Sequence, residues 1–292
     1  MRYLYSILLL ILINLFFSLP ACAIRIGLIE GAKETTVAVS LAGSIYDVSG
    51  KELLRLQPMS AYVLKNSRKG IMVKINGKFY PLNSRKIKIK TQDPKGFVLA
   101  KKRWYRQELE VFKAERGLTV VNNINLELYL LGVVPAEMPP KWHIEAHKAQ
   151  AIAARSYAIA NLGKRGARGF DLLDTPEDQA YGGASSETAK TNQACSDTYG
   201  IVITYDKKVI PAYYSASAGG HTINSGDAWI KNLPYIHAVP SFDGNVKKNG
   251  HGVGMSQHGA NNLAGKGYNA YQILTYFYNN VKFGKLDPSF LI

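Results

Sequence analysis

The chain has 292 residues, with 36 lysines and arginines against 21 aspartates and glutamates, which gives a formal charge of +15. This excess of positive charge indicates an anionic partner or surface. The length suits one large domain or two modest ones. The only cysteines are Cys22 and Cys195, and this excludes a small fold built around several disulfides.

The first 23 residues are typical of a secretory signal peptide. Arg2 precedes an apolar run at 7–17, and an A-x-A cleavage site ends at Ala23. The run is shorter than the ~20 apolar residues that a membrane span needs. We therefore predict cleavage after Ala23 and export to the periplasm or cell wall. A lipoprotein carrying lipid on Cys22 is the alternative, which Pro20 disfavours.

Residues 24–117 predict a β-rich, basic N-terminal region. Asn76-Gly77 between two apolar segments is a hairpin signal. Residues 62–116 contain sixteen lysines and arginines and four acidic residues. The region is therefore either a docking surface for an anionic cell wall or a set of strand edges protected by lysines. Apolar and polar residues alternate, as in half-buried strands, at 24–28, 36–39, 86–90 and 109–112.

Residues 118–292 predict a mixed α/β domain, which makes the whole chain α+β. Its central feature is Glu137, the only charge in the segment VVPAEMPP at 133–140. Apolar surroundings penalise the charged form of a carboxyl group and raise its pKa, which suits a general acid. The prolines on both sides predict a loop that holds the residue still. The alternative is a loop glutamate that caps the next helix.

An alanine-rich helix is predicted after this loop, from residue 143 to about 162. Lys148, Ile152 and Arg155 fall on one stripe of it, because residues i, i+4 and i+7 share a helix face. Two cations among alanines suit the wall of a cleft, and a solvated surface stripe is the other interpretation. Further helices are predicted at 186–198 and 271–278, and a second hairpin around residues 206–208.

Four segments resemble the stage II sporulation protein D family, which includes the amidase-enhancer (LytB-type) proteins. The resemblance spans about 118–282, with the motifs in the same order. The segments are YLLGVVPAEMP at 129–139, EAHKAQAIAARSYA at 145–158, YYSASAGGHT at 213–222 and GHGVGMSQHGA at 250–260.

This resemblance implies a lytic transglycosylase that cuts peptidoglycan glycan strands. It assigns the catalytic acid to Glu137 and site roles to Lys148 and Arg155. It also places the Gln-x-Tyr segment, Gln179 and Tyr181, close to the catalytic cleft. The glycine-rich motif that follows adds a list of substrate-binding candidates: His251, Ser256 and Gln257.

No metal or cofactor is predicted. Some relatives bind zinc near the Gly-Gly-His motif through cysteines, but this chain keeps His221 and has no cysteine after Cys195. Neither an H-E-x-x-H motif nor another zinc-type spacing occurs. Cys195 itself is expected in a buried helix rather than as a nucleophile.

The function expected from the resemblance is cleavage of the bond between N-acetylmuramic acid and N-acetylglucosamine, with one glutamate as acid and base and a 1,6-anhydro product. The expected partners are glycan strands and an anionic wall surface, with a cell-wall amidase as a further partner; nucleic acid is disfavoured by the predicted export. Two alternatives stay open: a non-catalytic wall binder that stimulates an N-acetylmuramoyl-L-alanine amidase, and a hydrolase that uses water.

Overall fold

The computed structural model describes residues 23–229 and 232–287, and it confirms the α+β class. Residues 1–22, which hold most of the predicted signal peptide and Cys22, lie outside the described residues. A β-rich N-terminal part precedes the first helix. Its strands are β1 (Ala23–Ala32), β2 (Glu34–Val39), β3 (Gly43–Asp47), β4 (Glu52–Leu56), β5 (Tyr62–Ser67), β6 (Gly70–Ile75), β7 (Lys78–Pro81), β8 (Lys86–Thr91), β9 (Phe97–Ala100), β10 (Arg103–Arg106), β11 (Glu108–Ala114) and β12 (Gly117–Asn125).

The rest of the chain is mixed. Within the described residues it contains six α-helices and six short strands. They are, in chain order, α1 (Leu126–Glu137), α2 (Ile144–Ala160), β13 (Leu172–Leu173), α3 (Ala189–Asp197), β14 (Ile201–Tyr205), β15 (Lys208–Val209), β16 (Tyr214–Ser215), α4 (Ser225–Ala228), β17 (Met255–Ser256), α5 (Gln257–Gly265), α6 (Ala270–Phe277) and β18 (Lys282–Lys285).

The N-terminal strands form two sheets. The first has the order β13-β1-β12-β11-β8-β3-β4 and the second the order β10-β9-β2-β5-β6-β7. Because strands of a sheet present alternate side chains to opposite faces, Ile87 and Ile89 of β8 point to the core while Lys86 and Lys90 are exposed. The alternating pattern of the sequence thus correctly located these strands. Two smaller sheets, β15-β14-β18 and β16-β17, belong to the second half.

Helix α2 lies at the centre of the second half and is buried on nearly every side. Ala151 and Ala154 pack into a hydrophobic cluster shared with the β-sheets, whereas Ala149 and Ile152 pack into a second cluster with α5 and α6. A helix enclosed all round cannot show the one-sided pattern of a surface helix. Its alanines allow close approach of neighbours on both sides.

The predicted boundary between residues 117 and 118 falls at the turn of the β11–β12 hairpin. Strand β12 pairs with both β11 and β1, and Ile24 lies opposite Ile124. The first hydrophobic cluster also continues across this point, since it includes Leu109 and Leu130. The two predicted regions therefore share strand pairing and a core.

Local turn signals were reliable. Asn76 and Gly77 have φ values of 49° and 81° and connect β6 to β7, as a two-residue hairpin requires. The predicted helices near 143–162, 186–198 and 271–278 correspond to α2, α3 and α6. Over the described ranges, no helix is both long enough and apolar enough to cross a membrane.

Candidate active site

Glu137 is the last residue of helix α1, so the predicted loop at this position is wrong. Asn125 starts the helix, because its side chain accepts hydrogen bonds from the backbone of Glu127 (2.9 Å) and Leu128 (3.4 Å). Burial of the apolar residues of α1 outweighs the hydrogen bond lost at Pro135, which lies in the last turn. The helix ends where Met138 becomes extended, directly before two prolines.

Three segments converge on the Glu137 carboxyl group. The backbone N–H of Ala180 donates to Oε1 at 2.7 Å, and Nε2 of Gln257 donates to Oε2 at 3.0 Å. The hydroxyl of Tyr214 is a third hydrogen-bond partner. That hydroxyl accepts a bond from Gln179 Nε2 at 2.7 Å, which leaves its proton for the carboxyl group.

Burial raises the pKa of Glu137 above its ordinary value. The hydrogen bonds from Gln257, Ala180 and Tyr214 favour the charged form and offset part of this effect. The same burial keeps the pKa of Tyr214 well above its usual value, so the phenol stays protonated and remains a donor. A carboxyl group in this setting holds a proton to a higher pH than an exposed glutamate does, and it can return to the charged form without losing its partners.

Glu137 opens into a cleft of about 520 Å³, within the size range of ligand sites. One wall is aromatic: the ring centroids of Tyr213 and Trp229 lie 4.5 Å apart, and those of Trp229 and His251 lie 5.2 Å apart. Flat apolar rings beside a carboxyl group suit the faces of sugar rings. A larger cavity of about 960 Å³ lies elsewhere, between Tyr46, Lys90 and Tyr199. It does not include Glu137, so size alone does not locate the site.

His251 and Gln257, two of the predicted substrate-binding residues, both line this cleft. The backbone N–H of Val253 donates to Nδ1 of His251 at 3.0 Å, and the backbone of Tyr214 also bonds the ring. Burial lowers the pKa of His251, so the imidazole is neutral near pH 7. His251 therefore contributes a neutral, fixed ring to the wall.

The predicted cleft position of Arg155 is wrong. Its side chain is completely buried, and its guanidinium forms two bonds to the carboxylate of Glu127, at 2.6 and 2.7 Å. A third bond, to the carbonyl of Ile201, is 3.0 Å long. Residues at i and i+7 share a face, but α2 is buried on most of its circumference, and Arg155 faces α1 and β14 rather than the cleft.

Lys148 also lies away from the carboxyl group of Glu137. Its Nζ is 3.0 Å from Glu145 and 3.0 Å from Asp197, so it links α2 to α3. The hydrogen bonds from Asp197 and Glu145 raise the pKa of Lys148 above its ordinary value. The side chain is therefore a partly exposed ion-pair member and does not line the cleft.

Gln179 and Tyr181 lie behind the cleft rather than in contact with Glu137. Gln179 is completely buried and supports Tyr214, as described above. Tyr181 is 2% exposed, and its hydroxyl donates to Asn122 Oδ1 at 2.8 Å. Between them, Ala180 supplies the N–H that binds Glu137. The Gln-x-Tyr segment is thus important for its middle residue, which sequence analysis did not select.

Ser256 is a buried helix cap instead of a substrate contact. Its Oγ accepts the N–H of Gly259 at 3.0 Å and donates to Asp243 at 2.5 Å. The carboxylate of Asp243 also accepts the N–H groups of Ala218 (2.7 Å) and Gly220 (2.8 Å). Asp243 therefore joins the glycine-rich loop to the start of α5, where Gln257 reaches Glu137.

Sequence analysis missed Tyr214, Tyr213 and Trp229 as site residues. The pair Tyr213-Tyr214 lies inside a family-like motif, which was the available signal. Trp229 follows α4 and carried no signal. Cys195 is buried in α3 as expected, and burial raises the pKa of its thiol to about 12. No cluster of three or more His, Cys, Asp or Glu able to hold a metal ion occurs among residues 23–229 and 232–287.

Residues 114–205 match the family model described as stage II sporulation protein. This segment is therefore similar to a domain of the stage II sporulation protein D and amidase-enhancer proteins. The matched region of this sporulation-protein domain includes Glu137 and helix α2, whereas His251 and Gln257 lie beyond it.

Three relatives illustrate the similarity. The amidase enhancer of Bacillus subtilis (strain 168) is 43% identical over 109 residues, which are 37% of this chain and 14% of the relative. Stage II sporulation protein D of Bacillus amyloliquefaciens is 35% identical over 136 residues, 41% of this chain and 40% of the relative. An uncharacterized protein of Brachyspira hyodysenteriae is 39% identical over 123 residues, 42% of this chain and 33% of the relative. Each alignment thus spans less than half of the relative.

Proposed function

We propose that the protein is a lytic transglycosylase that cuts peptidoglycan glycan strands between N-acetylmuramic acid and N-acetylglucosamine. The observation that carries the proposal is the Glu137 carboxyl group, which has a raised pKa and faces a cleft with an aromatic wall. A carboxyl group that holds its proton to a higher pH than an exposed glutamate does, beside a wall that accepts sugar faces, suits acid-catalysed glycosidic cleavage.

In the first step, Glu137 donates its proton to the oxygen that links C1 of the muramic ring to the next sugar. The C1–O bond breaks, its electron pair stays on the leaving oxygen, and the leaving sugar departs as an alcohol. Positive charge develops on the muramic ring as an oxocarbenium-like state. The Glu137 carboxylate that remains is stabilised by its bonds from Ala180, Gln257 and Tyr214.

In the second step, the Glu137 carboxylate takes the proton of the muramic C6 hydroxyl as O6 forms a bond to C1. The product is a 1,6-anhydro ring, no water is consumed, and Glu137 is protonated again. One carboxyl group serves both steps because the nucleophile belongs to the substrate.

The other acidic residues of the cleft are poorly placed to act as a second catalytic group. Asp178 is buried and accepts bonds from Lys164 and Arg165, both at 2.6 Å, as well as from the backbone of Leu173 at 2.8 Å. Burial alone would raise the pKa of Asp178, but these bonds outweigh it and hold the pKa below its usual value. Glu177 is 70% exposed in its side chain and lies 3.5 Å from Arg165. A single catalytic carboxyl group favours the intramolecular route.

The test is Glu137→Gln, which keeps the size of the side chain and removes its proton. We expect the rate of anhydro-muropeptide release to fall to the upper end of the ~10²–10⁴-fold range of general acid–base catalysis, or beyond it. Glycan binding should stay close to that of the wild type. Reducing ends instead of anhydro ends would identify a hydrolase. A folded variant that still releases anhydro sugars at the wild-type rate would end the proposal.

A second candidate is a non-catalytic wall binder that enhances an amidase. Its supporting observation is the 43% identity to the protein named amidase enhancer. This function predicts that wild-type protein produces no new glycan ends and stimulates a purified N-acetylmuramoyl-L-alanine amidase on cell walls. The Glu137→Gln variant should stimulate the amidase as well as wild type does.

We also propose that the protein is exported and acts in the periplasm or cell wall. The basis is the apolar run at 7–17 followed by the cleavage site at Ala23. N-terminal sequencing of the mature protein should begin at Ile24. Retention of Met1, or lipid on Cys22, would contradict soluble export without bearing on the chemistry at Glu137.

A further inference from the structure

A second chamber of about 510 Å³ adjoins the cleft of Glu137. The two chambers share Ala136, Pro176 and Ala180 in their walls. The far wall of the second chamber comes from the β9–β10 hairpin, which supplies Lys101 and Arg103. A ligand that extends along the cleft from Glu137 therefore meets a basic hairpin of the N-terminal region.

The charges of this chamber leave one cation uncompensated. Lys101 donates to both oxygens of Asp174, at 3.0 and 2.8 Å, so these two charges neutralise each other. Arg103 donates a bond from Nη1 to the carbonyl of Tyr181 at 3.3 Å, and its guanidinium also interacts with the hydroxyl of the buried Tyr105. It has no carboxylate within ion-pair distance among the residues that the structure describes.

Arg106, on the same strand, shows the contrast. Its Nε and Nη2 bond the two oxygens of Glu187, at 2.6 and 2.8 Å. The two ends of β10 thus carry different arginines. Arg106 has a bidentate carboxylate partner, whereas the exposed Arg103 lines the chamber and has no carboxylate partner among the described residues. The hairpin turn itself is strained, because Lys101 and Lys102 have φ values of 50° and 60° in the left-handed region.

A hydroxyl donor completes the chamber. Ser185 Oγ accepts the N–H of Trp104 at 2.9 Å, which leaves its own proton for a ligand. Thr175 also lines this wall, but its hydroxyl oxygen is buried. One guanidinium with a hydroxyl in the same chamber matches a singly charged planar anion, since a guanidinium binds a carboxylate through two parallel bonds.

We propose that this chamber is a subsite for a carboxylate carried on the glycan strand, with Arg103 as the residue that binds it. The inference rests on the proposed function, because it assumes that a glycan occupies the cleft. The carboxylate has two chemical sources in peptidoglycan: the free lactyl group of a muramic ring, or the terminus of a peptide attached to that group.

The experiment measures binding in the Glu137→Gln background, so that no substrate is cut. The ligands are a GlcNAc–MurNAc tetrasaccharide with free lactyl carboxylates, its methylamide, the peptide-bearing form and chitotetraose. Arg103→Ala should weaken binding of the carboxylate glycan about tenfold or more, as expected for loss of a charged hydrogen bond. Binding of the methylamide and of chitotetraose should change less than twofold.

Two control variants complete the design. Arg55→Ala removes another exposed arginine from an edge strand, β4, and should leave all four affinities within twofold. Arg103→Lys keeps the charge without the planar fork and should restore part of the discrimination. A loss confined to the peptide-bearing glycan would assign the carboxylate to the peptide.

The failures of the two proposals are distinguishable. If Arg103→Ala weakens all four ligands equally, or none, the subsite is overturned while cleavage at Glu137 stands. If the glycans bind in an Arg103-dependent way but wild-type protein never cuts them, the subsite stands and the catalytic proposal falls. If the protein binds none of the glycans, both fall.

Discussion

Glu137 is held between two opposing effects. Burial favours its neutral form, while the donors Ala180, Gln257 and Tyr214 favour the carboxylate. The first effect is larger and the second keeps both forms accessible, which a group that gives a proton and takes it back requires. The fold therefore keeps this residue in a setting that costs stability when the carboxyl group is ionised.

This cost has a predictable pH dependence. Because the pKa of Glu137 is higher in the folded protein than the ordinary ~4.3 of an unfolded chain, the folded state binds the proton more tightly. Its contribution to stability is thus most favourable below the unfolded pKa and declines as the pH rises through the raised pKa. Glu137→Gln should melt at a higher temperature than wild type at pH 8, and the difference should shrink towards pH 4.

The measurement is the difference in melting temperature between variant and wild type across this pH range. Glu177→Gln, which removes an exposed carboxylate from the same cleft, controls for the loss of a negative charge. A Glu137→Gln variant that melts below wild type at pH 8 would show that the bonds to the carboxylate outweigh its burial.

Asp243 shows the opposite balance. Burial alone would raise its pKa, but the bonds from Ser241, Ser256, Ala218 and Gly220 outweigh burial and lower it. Its contribution to stability is therefore present above the unfolded pKa of ~3.9 and is lost as the pH falls through the lower folded value. The carboxylate acts as a common acceptor for four donors.

Asp243→Ala should destabilise the protein by at least about 3 kcal/mol, because it leaves several buried donors without partners at about 1–3 kcal/mol each. Asp243→Asn should cost less, since one oxygen remains. Urea unfolding at pH 7 measures both losses. If both variants unfold like wild type, Asp243 is not the anchor of the glycine-rich loop and α5.

At the scale of elements, the buried pair Arg155–Glu127 ties α2 to α1, and the bond from Arg155 to Ile201 adds β14. Glu127 also accepts the N–H of Gly200 at 3.3 Å. Glu137 lies at the other end of α1, so this junction fixes the helix that carries the proposed acid. Arg155 acts on the site through position rather than contact.

Arg155→Ala should cost about 3–5 kcal/mol, the usual loss when one partner of a buried ion pair is removed. Lys148→Ala on the same helix is the matched control and should stay within about 1 kcal/mol, because its ion pairs are partly exposed. Urea unfolding separates the two. A stable Arg155→Ala variant that has lost glycan binding would show instead that Arg155 contacts the glycan.

These elements show where sequence analysis succeeds and where it stops. The Asn76-Gly77 hairpin and helix α6 follow from residues adjacent in the chain, and both were predicted. Helix α1 was missed because Pro135 and its neighbours suggest a loop, although Asn125 is a capping signal. The partners Ala180 and Gln257 of Glu137 come from 43 and 120 positions away, and Tyr214 is also distant in sequence, so no local pattern reveals them. Resemblance to the family motifs identified the segments that form the site. It did not distinguish Gln257, which contacts Glu137, from Ser256, which is a buried helix cap.

At the scale of the whole molecule, the positive charge is not confined to sheet edges. Strand β8, with Lys86, Lys88 and Lys90, lies inside its sheet, and Lys86 and Lys88 pair with Glu110 and Glu108 of β11. The edge strand β7 begins with the exposed Lys78, which fits protection of an edge. Edge protection therefore accounts for Lys78 but not for the lysines of β8, and docking on an anionic cell wall stays a prediction.

The β6–β7 hairpin and the turn that precedes it allow a direct test of the docking interpretation. Replacing the exposed Lys69, Lys74 and Lys78 by glutamine should weaken retention on purified, polyanionic cell walls and reduce its dependence on salt, because exposed charges act through screened electrostatics. The same replacement of Lys33, Lys51 and Lys208 is the matched control. Unchanged retention together with self-association of the first variant would favour edge protection instead.

The pairing of β1 bears on how the chain folds as it is made. This strand comes early in synthesis, but it is flanked by β12 and β13, and Arg25 bonds Asp171, which is 146 positions later. At ~5–20 residues per second, the second neighbour emerges roughly 7–30 s after the strand itself. Contacts this distant in sequence also slow folding intrinsically. Strand β1 therefore stays open along both edges until β12 has been made, and along one edge until residue 173 has been added.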